Sequence, residues 1–571
     1  MNDPFSYRLQ WAERVAFALG MLVLVGPVFS HRFHFTTDGP AHVYNASLIL
    51  QKLTGSIPGD AGWDFTPVPV PNWLGHALLA LLLIPFETPE ASKALHVLIL
   101  AGLPIALRAL ALQRGPGPPW RAHLIFPFAV HVPFAMGYYN FCLGLLVFVL
   151  FICQWYHIEA HANATGSTRR YVVLASLLVL LYLAHLVPFG FALGWLGIHS
   201  LFHWAGQTCN GGTRRRELLR SSLRALCACL PALVLLVWYQ VGQQREESWG
   251  PPTPDRWEQL SRPFQLVDFP AERSLWGASV LAVLMALAQG LLSAHQQERR
   301  GRIRVFEAVI VGVALLLQAT LPNFWGKGID ILMRLALITH LCVLFWVLAL
   351  PQRRSSSLWI PFMVLPIMIM QQQIRGEEQE RNNERMRACH AVAMRVIPGG
   401  SVAIVSFDWL GSHLPELAFA DRNVLNLSNY EFINPHFPLR WSDSTMTARA
   451  AAPEHPLDVL EPWSNVPGTR LIAADHILVI GPPQDDAQRQ ALDLLRTSLR
   501  GTHPEEEGDG NYRPVSYTHL DVYKRQEHNE SEHEPKPPRQ NSRSIDRVHH
   551  DLRTPSPSRW RALPTVPRSS L

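Results

Sequence analysis

The residue with the clearest chemical potential is Asp38, in the stretch Thr36-Thr37-Asp38-Gly39-Pro40-Ala41-His42-Val43-Tyr44-Asn45. This stretch follows the first membrane-length apolar run and opens a polar segment. An acid there meets the water–bilayer boundary, where a lipid-borne substrate presents its head group. Two chemical roles suit a carboxylate so placed: a general base that deprotonates an acceptor hydroxyl, or a ligand for a divalent cation (Mg2+ or Mn2+) that bridges a lipid phosphate. The plain alternative is a helix cap, with Pro40 in the first turn of a helix over 40–53, where proline is tolerated. A cap can also face a site. His42 lies one turn later on the same face and could pair with Asp38 or with a phosphate.

The next constellation is Lys327-Gly328-Ile329-Asp330 followed by Arg334. Arg334 falls about one turn inside an apolar run, and a charge in a bilayer costs roughly 2.5–3.5 kcal/mol at mid-helix and less near the edge. A lipid phosphate would compensate that charge, and the guanidinium geometry suits bidentate phosphate binding. The structural alternatives are an i, i+4 pair with Asp330 or snorkelling towards the surface. His185 and Asn140, near the ends of apolar runs, favour bonds to neighbouring helices over substrate contacts. Glu246, Glu247, Asp255 and Asp268 are further acids in a long polar loop, and nothing in the pattern selects one. The seven cysteines show no metal-ligand spacing and read as small buried hydrophobes. There is no phosphate-cradling P-loop, dinucleotide glycine fingerprint, HExxH or GxSxG, which argues against ATP-driven transport within this chain.

The elements that must position these residues are apolar helices. Of 571 residues, 48% are hydrophobic and only 17% charged, against about 25% charged in soluble proteins. The apolar runs are confined to 1–372, whereas 373–571 is polar. That contrast predicts a polytopic transmembrane helix bundle with an extramembrane C-terminal part. Spans are expected near 15–30, 94–112, 122–137, 138–156, 171–187, 189–204, 224–241, 274–293, 305–321, 331–350 and 357–372, about eleven in all. The 74–86 run is short for a bilayer and reads better as a juxtamembrane or re-entrant helix. Arginines in alternate loops then place the N-terminus in the cytoplasm and the first loop, 31–73, on the outer face together with the C-terminal domain. The net charge of +5 reports this topology and gives no sign of nucleic-acid binding.

Within 31–73, a helix over 40–53 carries Ala41, Tyr44 and Leu48 on one stripe, and 67–73 is extended because its prolines alternate. Beyond the last span, 371–387 reads as a polar helix. Strands are expected at 401–406, 423–427 and 476–480, with a helix over 484–500, making a small α/β domain over 373–514. The segment 515–571 opens on Val515-Ser516-Tyr517-Thr518-His519-Leu520-Asp521-Val522-Tyr523-Lys524-Arg525-Gln526, which reads as adapter-derived or as a natural disordered tail.

Asp38-Gly39-Pro40-Ala41-His42, Pro71-Asn72-Trp73, Gly137-Tyr138-Tyr139-Asn140-Phe141-Cys142-Leu143-Gly144, Tyr182-Leu183-Ala184-His185, Asn429-Tyr430-Glu431 and Phe437-Pro438-Leu439-Arg440-Trp441 occur in that order. With the arrangement of spans, this set resembles uncharacterised bacterial multi-pass proteins related to the GT-C glycosyltransferase superfamily, over about residues 1–510. The resemblance implies a mainly α, GT-C-like membrane enzyme of the bacterial inner membrane. Such an enzyme moves a sugar from a polyprenyl-phosphate donor to a lipid, glycan or protein acceptor. It also implies Asp38 as the catalytic or metal-binding acid; on the residue chemistry above, His42 would assist it and Lys327 and Arg334 would hold the donor phosphate. Many members carry two adjacent acids where this chain has Asp38 and Gly39, which weakens the case for a bound cation. The competing expectation is a non-catalytic protein of envelope polysaccharide assembly, or a transporter.

Overall fold

A computed structural model describes residues 4–56, 62–114, 119–161, 167–205, 212–242, 255–295, 301–324, 329–351, 357–408, 411–442, 455–481, 483–499 and 517–520. The chain is mainly helical, and residues Met1–Tyr523 form one compact unit. The helices used below are α1 (Pro4–Val25), α2 (Gly39–Leu53), α3 (Leu74–Leu82), α4 (Thr88–Arg114), α5 (Val132–Ala135), α6 (Tyr139–Ala160), α7 (Ser167–Ala184), α8 (Leu186–Ala205), α9 (Gly212–Gly242), α10 (Phe269–His295), α11 (Gly301–Thr320), α12 (Ile331–Ala349), α13 (Trp359–Ala393) and α14 (Glu416–Arg422).

Among the described residues, six helical segments are long and apolar enough to cross a membrane: Tyr7–Phe29, Thr88–Arg114, Tyr139–Ala160, Leu219–Gly242, Phe269–His295 and Ile331–Ala349. That is fewer than the eleven expected. The apolar parts of α8 and α11, Leu186–Phe202 and Val305–Thr320, are shorter. The outer stripe of α9, with Leu219, Leu223, Leu226, Leu230, Val234 and Val241 three, four or seven residues apart, stays exposed. A row of that kind suits contact with hydrocarbon better than contact with water. By contrast, α6 and α12 are largely enclosed by other helices and form the inner pillars.

Several expectations need correction. The run at 122–137 is not a spanning helix. It folds as a 3-10 segment, Trp120–Phe128, followed by the single turn of α5. Pro127 and Pro133 each remove a backbone donor, and Gly137 turns the chain at φ 84°. Arg121 is buried there and donates to the carbonyls of Val347, Leu350 and Pro351 at 3.0, 2.9 and 3.2 Å. It thereby caps the C-terminal end of α12. The expected span at 357–372 and the polar helix after it are one continuous element, the 35-residue α13. The nine residues of α3 are too few to cross a bilayer.

The helix at 39–53 also differs from the striped, half-exposed element expected. Every residue of α2 from Gly39 to Ile49 is buried. Its inner side meets α3 and α4, and its other side is covered by α14. Tyr44 anchors this junction: its hydroxyl donates to the Val424 carbonyl at 2.9 Å and accepts from the Asn426 N–H at 2.9 Å. Asn45 and Asn429 pair side chain to side chain at 2.6 Å. A short strand from the first loop, β1 (Trp63–Phe65), lies antiparallel to β4 (Leu439–Trp441), with Trp63 opposite Trp441 and Phe65 opposite Leu439.

The remaining strands form a parallel sheet in the order β3-β2-β5-β6, where β2 is Ser401–Ser406, β3 Leu425–Asn426, β5 His476–Ile480 and β6 Tyr517–Leu520. The fourth strand comes from the segment read as a structureless tail. An edge strand offers bare N–H and C=O groups to any extended segment, so such pairing demands little of the added sequence. The rest of 515–571 lies outside the described residues. Helix Asp486–Leu499 completes this part, close to the 484–500 expected.

Candidate active site

Asp38 is the last residue of the irregular link that joins the 3-10 turn after α1, Gly26–Phe29, to α2. Two backbone bonds fix it against the turn between α5 and α6: Thr37 N–H to the Ala135 carbonyl at 3.0 Å, and Asp38 N–H to the Met136 carbonyl at 2.9 Å. Asp38 is the residue before α2, but its side chain makes no capping hydrogen bond, so the carboxylate is free for another use. Its nearest ionisable neighbour is His413, whose Nε2 lies 4.0 Å from Oδ1. Both side chains keep some access, 19% for Asp38 and 16% for His413.

His413 in turn has its Nδ1 3.4 Å from Glu416 Oε2, and its ring rests against Tyr430. Glu416 is buried and accepts from Asn426 Nδ2 at 2.6 Å. Burial alone would push the His413 pKa down, but Glu416, Asp38 and Glu431 together lift it to about 9. Burial raises the pKa of Asp38, opposed mainly by His413 and His42, and the net shift is upward. Glu416 is raised by burial too, against the pull of His413. A carboxylate with a raised pKa beside an imidazolium is well suited to accept a proton near neutral pH.

The sign of the His413 effect follows from a folded pKa above the free value. Its contribution to stability should be complete below about pH 6.5 and lost as pH rises towards about 9. At one pKa unit per 1.36 kcal/mol the full effect is on the order of 3 kcal/mol. The stability gap between wild type and His413→Gln should therefore shrink between those pH values, read from thermal unfolding midpoints in detergent.

Behind Asp38 lies a second, fully buried group. His42 Nδ1 and His76 Nε2 approach Glu431 Oε1 and Oε2 at 2.8 and 2.9 Å, and the two ring nitrogens stand 3.3 Å apart. Burial would raise the Glu431 pKa, but the two imidazoles hold it down to about 2. Burial lowers the His76 pKa and Glu431 raises it, with a net upward shift. Three elements supply the group: α2 gives His42, α3 gives His76, and the 3-10 turn Tyr430–Ile433 gives Glu431.

Arg334 completes the constellation from the first turn of α12. Its guanidinium stacks on Tyr138, 4.8 Å from the ring centroid, and Nη1 donates to the Ile329 carbonyl at 2.9 Å. Its buried Nε has no hydrogen-bond partner, and its charge lowers the Asp38 pKa. Asp330, which precedes α12 in a left-handed conformation, accepts from the Tyr138 hydroxyl at 3.1 Å. Tyr138 is therefore the shared contact of both residues.

No protein-family model matches the chain, and none of the curated proteins does either. What the site can do is therefore read from its own chemistry.

Asp38 and Arg334, far apart in sequence, are brought within electrostatic reach of each other. Lys327 lies outside the described residues, as do Glu246 and Glu247. Asp268 accepts from Ala271 N–H at 3.1 Å and opens α10, and it is not among the charges that act on Asp38. His42 does not pair with the Asp38 carboxylate. Its ring turns to Glu431 and His76, and only its backbone N–H reaches the Asp38 carbonyl, at 3.1 Å. Sequence reasoning missed His76, His413, Glu416 and Glu431 as site residues. A signal existed for two of them, since Glu431 ends the Asn429-Tyr430-Glu431 motif and His76 follows Pro71-Asn72-Trp73 by one turn. Asn140 and His185 behave as structural residues: Asn140 Oδ1 accepts from Gly75 N–H at 2.6 Å, and His185 Nδ1 accepts from Val187 N–H at 3.1 Å.

Gly39 has a steric cause. A Cβ on it would collide with Thr36 Oγ1 and the Tyr139 hydroxyl, which bond each other at 2.6 Å, so a second acid cannot stand beside Asp38. Gly137 is under a similar constraint: at φ 84° its Cβ would lie 2.7 Å from Gly39 N and 3.0 Å from Asp38 N. Gly137→Ala should cost roughly 1–2 kcal/mol from the left-handed backbone alone and also displace Asp38. Gly26→Ala, with nothing within 4 Å of its Cβ, is the control in the same unfolding assay.

An open groove of about 480 Å3, lined by Leu22, Val23, Gly26, Pro27, Ser30, Ile369, Gln372 and Gln373, lies elsewhere and contains no titratable side chain. It offers surface for an apolar chain but no chemistry.

Proposed function

We propose that this protein is a membrane glycosyltransferase that moves a sugar from a polyprenyl-phosphate donor to a lipid, glycan or protein acceptor. The observation that carries this reading is Asp38 beside His413 at the start of α2, with the Arg334 charge acting on the same carboxylate from further off. The base is partly accessible, and a cation with a buried, unpartnered donor stands in the first turn of a membrane-length helix. The reading also rests on the resemblance to the GT-C superfamily.

In this mechanism Asp38 accepts the proton of the acceptor hydroxyl. The acceptor oxygen forms a bond to the anomeric carbon of the sugar as the bond from that carbon to the phosphate oxygen breaks. The electron pair leaves with the polyprenyl phosphate, whose charge Arg334 compensates. His413, protonated at neutral pH, keeps Asp38 ionised until the acceptor arrives and steadies the carboxylate's position. The N-terminus is cytoplasmic, and the site and the C-terminal segment face the outside of the bacterial inner membrane. A divalent cation such as Mg2+ or Mn2+ is not required at Asp38, whose close neighbour is already a cation.

The test is transfer from labelled polyprenyl-phosphate sugars by the full chain in lipid nanodiscs, with lipid, glycan and peptide acceptors. Transfer that depends on Asp38 supports the assignment. No transfer from any donor by folded protein would point instead to a non-catalytic partner in envelope polysaccharide assembly or to a transporter.

A further inference from the structure

We propose that His42, His76 and Glu431 are the ligands of a transition-metal site, with Zn2+ as the ion their chemistry fits best. The inference stands on this cluster alone and does not depend on the transfer reaction. Among the described residues these three are the grouping of His, Cys, Asp and Glu whose ligand atoms converge closely enough to hold an ion, all within 4.8 Å of one another.

Four observations carry it. First, the donor set is two imidazoles and one carboxylate, which suits Zn2+ and other borderline divalent ions and is a poor match for oxygen-seeking Mg2+ or Ca2+. Second, the spacing fits. Two ligands at about 2.0–2.1 Å from a tetrahedral ion stand about 3.3 Å apart. His42 Nδ1 and His76 Nε2 are 3.3 Å apart, whereas each stands 2.8 or 2.9 Å from one Glu431 oxygen, which an ion would draw a few tenths of an ångström further off.

Third, without an ion the protons distribute well only if His76 is an imidazolium, fully buried. His76 Nδ1 faces the Asn72 carbonyl at 3.0 Å, an acceptor only, so Nδ1 carries the hydrogen. In a neutral ring Nε2 is then a lone pair, yet it faces both a carboxylate oxygen and His42 Nδ1. Fourth, Glu431 Oε1 is fully buried and has no hydrogen-bond partner of good geometry, its near neighbour being His42 Nδ1 at 2.8 Å. A buried carboxylate oxygen without a hydrogen bond, set against imidazole nitrogens, is what a cation would satisfy.

The supporting residues are also those of a metal site. The Asn72 carbonyl orients His76, and Asn72 itself is held at φ 67° with Nδ2 donating to the His436 carbonyl at 3.3 Å. Asn429 accepts from the Glu431 N–H at 3.1 Å. Such second contacts fix the tautomer and the aim of a ligand. Phe437 packs on both imidazoles and Tyr139 on His42, which keeps bulk water away. A tetrahedral ion held by three protein ligands retains one position for water or substrate. The ion would also tie α2 and α3 to the segment after α13, a junction otherwise made by hydrogen bonds and apolar contact.

The competing arrangement is a metal-free pair of imidazoliums on Glu431. To decide, the full chain is purified in detergent without chelator, its metal content is measured by mass spectrometry, and the stripped protein is titrated with Zn2+ and Co2+. Near-stoichiometric metal in wild type, lost in His76→Ala and Glu431→Gln and kept in His413→Gln, supports the site. Should the ligand variants fail to fold, the wild-type Co2+ complex decides instead. Visible bands of tetrahedral cobalt that Zn2+ displaces support it, and a new sulfur-to-cobalt band in His76→Cys places the ion. Folded wild-type protein that takes up neither ion overturns the proposal. Metal lost in His413→Gln but kept in His76→Ala also overturns it, since the ion would then sit beside Asp38.

Discussion

Asp38→Asn is expected to reduce sugar transfer by roughly 10²–10⁴-fold, the usual worth of a positioned general base. The loss should fall on kcat, with the donor KM little changed, because the amide keeps the shape and the backbone bond to Met136 but cannot take a proton. The pH profile separates this role from a structural one. Burial raises the Asp38 pKa, so the wild-type rate should fall as pH drops through a value above the ordinary carboxylate range. The residual rate of the variant should lack that limb. A variant that turns over like wild type, with the same acid limb, would remove Asp38 from the mechanism and leave Glu416 as the next acid to test.

The second large effect is on folding. Glu431→Gln should destabilise the protein by about 3–5 kcal/mol, the range for removing one partner of a buried charged group. The glutamine fills the same space, so the loss measures charge and not volume. It strands two imidazoles that face the missing charge, in a site from which water is excluded. The check is the detergent-solubilised unfolding midpoint and the amount of folded protein recovered. Asp486→Asn supplies the scale, since it breaks a solvent-exposed pair with Arg489 and should cost about 0–1 kcal/mol. A Glu431→Gln protein as stable as that control would mean that the two histidines are neutral and that Glu431 holds nothing together.

Much of the helical framework is legible in the sequence, because an apolar run of membrane length is a local property. The runs at 94–112, 138–156 and 331–350 became α4, α6 and α12 with small shifts at their ends. Where the run was broken by backbone chemistry, the count misled. Pro127, Pro133 and Gly137 were all visible in 122–137, and they outweigh its hydrophobicity because a helix that loses donors in mid-run cannot satisfy its own carbonyls. The extent of α2 was nearly right and its environment was not. Nothing local says that α14 and the Asn426–Asn429 segment will cover its second face.

The site divides in the same way. Sequence by itself determined that Asp38 stands at the entrance to a helix after a membrane-length segment, and that Arg334 lies a turn inside another. Tertiary structure decided their company. His76 meets Glu431 across a separation of 355 residues, and His413 reaches back to Asp38 from the far side of every long apolar helix. A buried carboxylate is tolerated only where opposite charge or donors compensate its lost hydration, and those partners can come from any segment that the fold brings near. Hydrophobic pattern fixes which segments form helices. Which ionisable groups then face one another depends on how distant segments pack, and that is set by the whole chain at once.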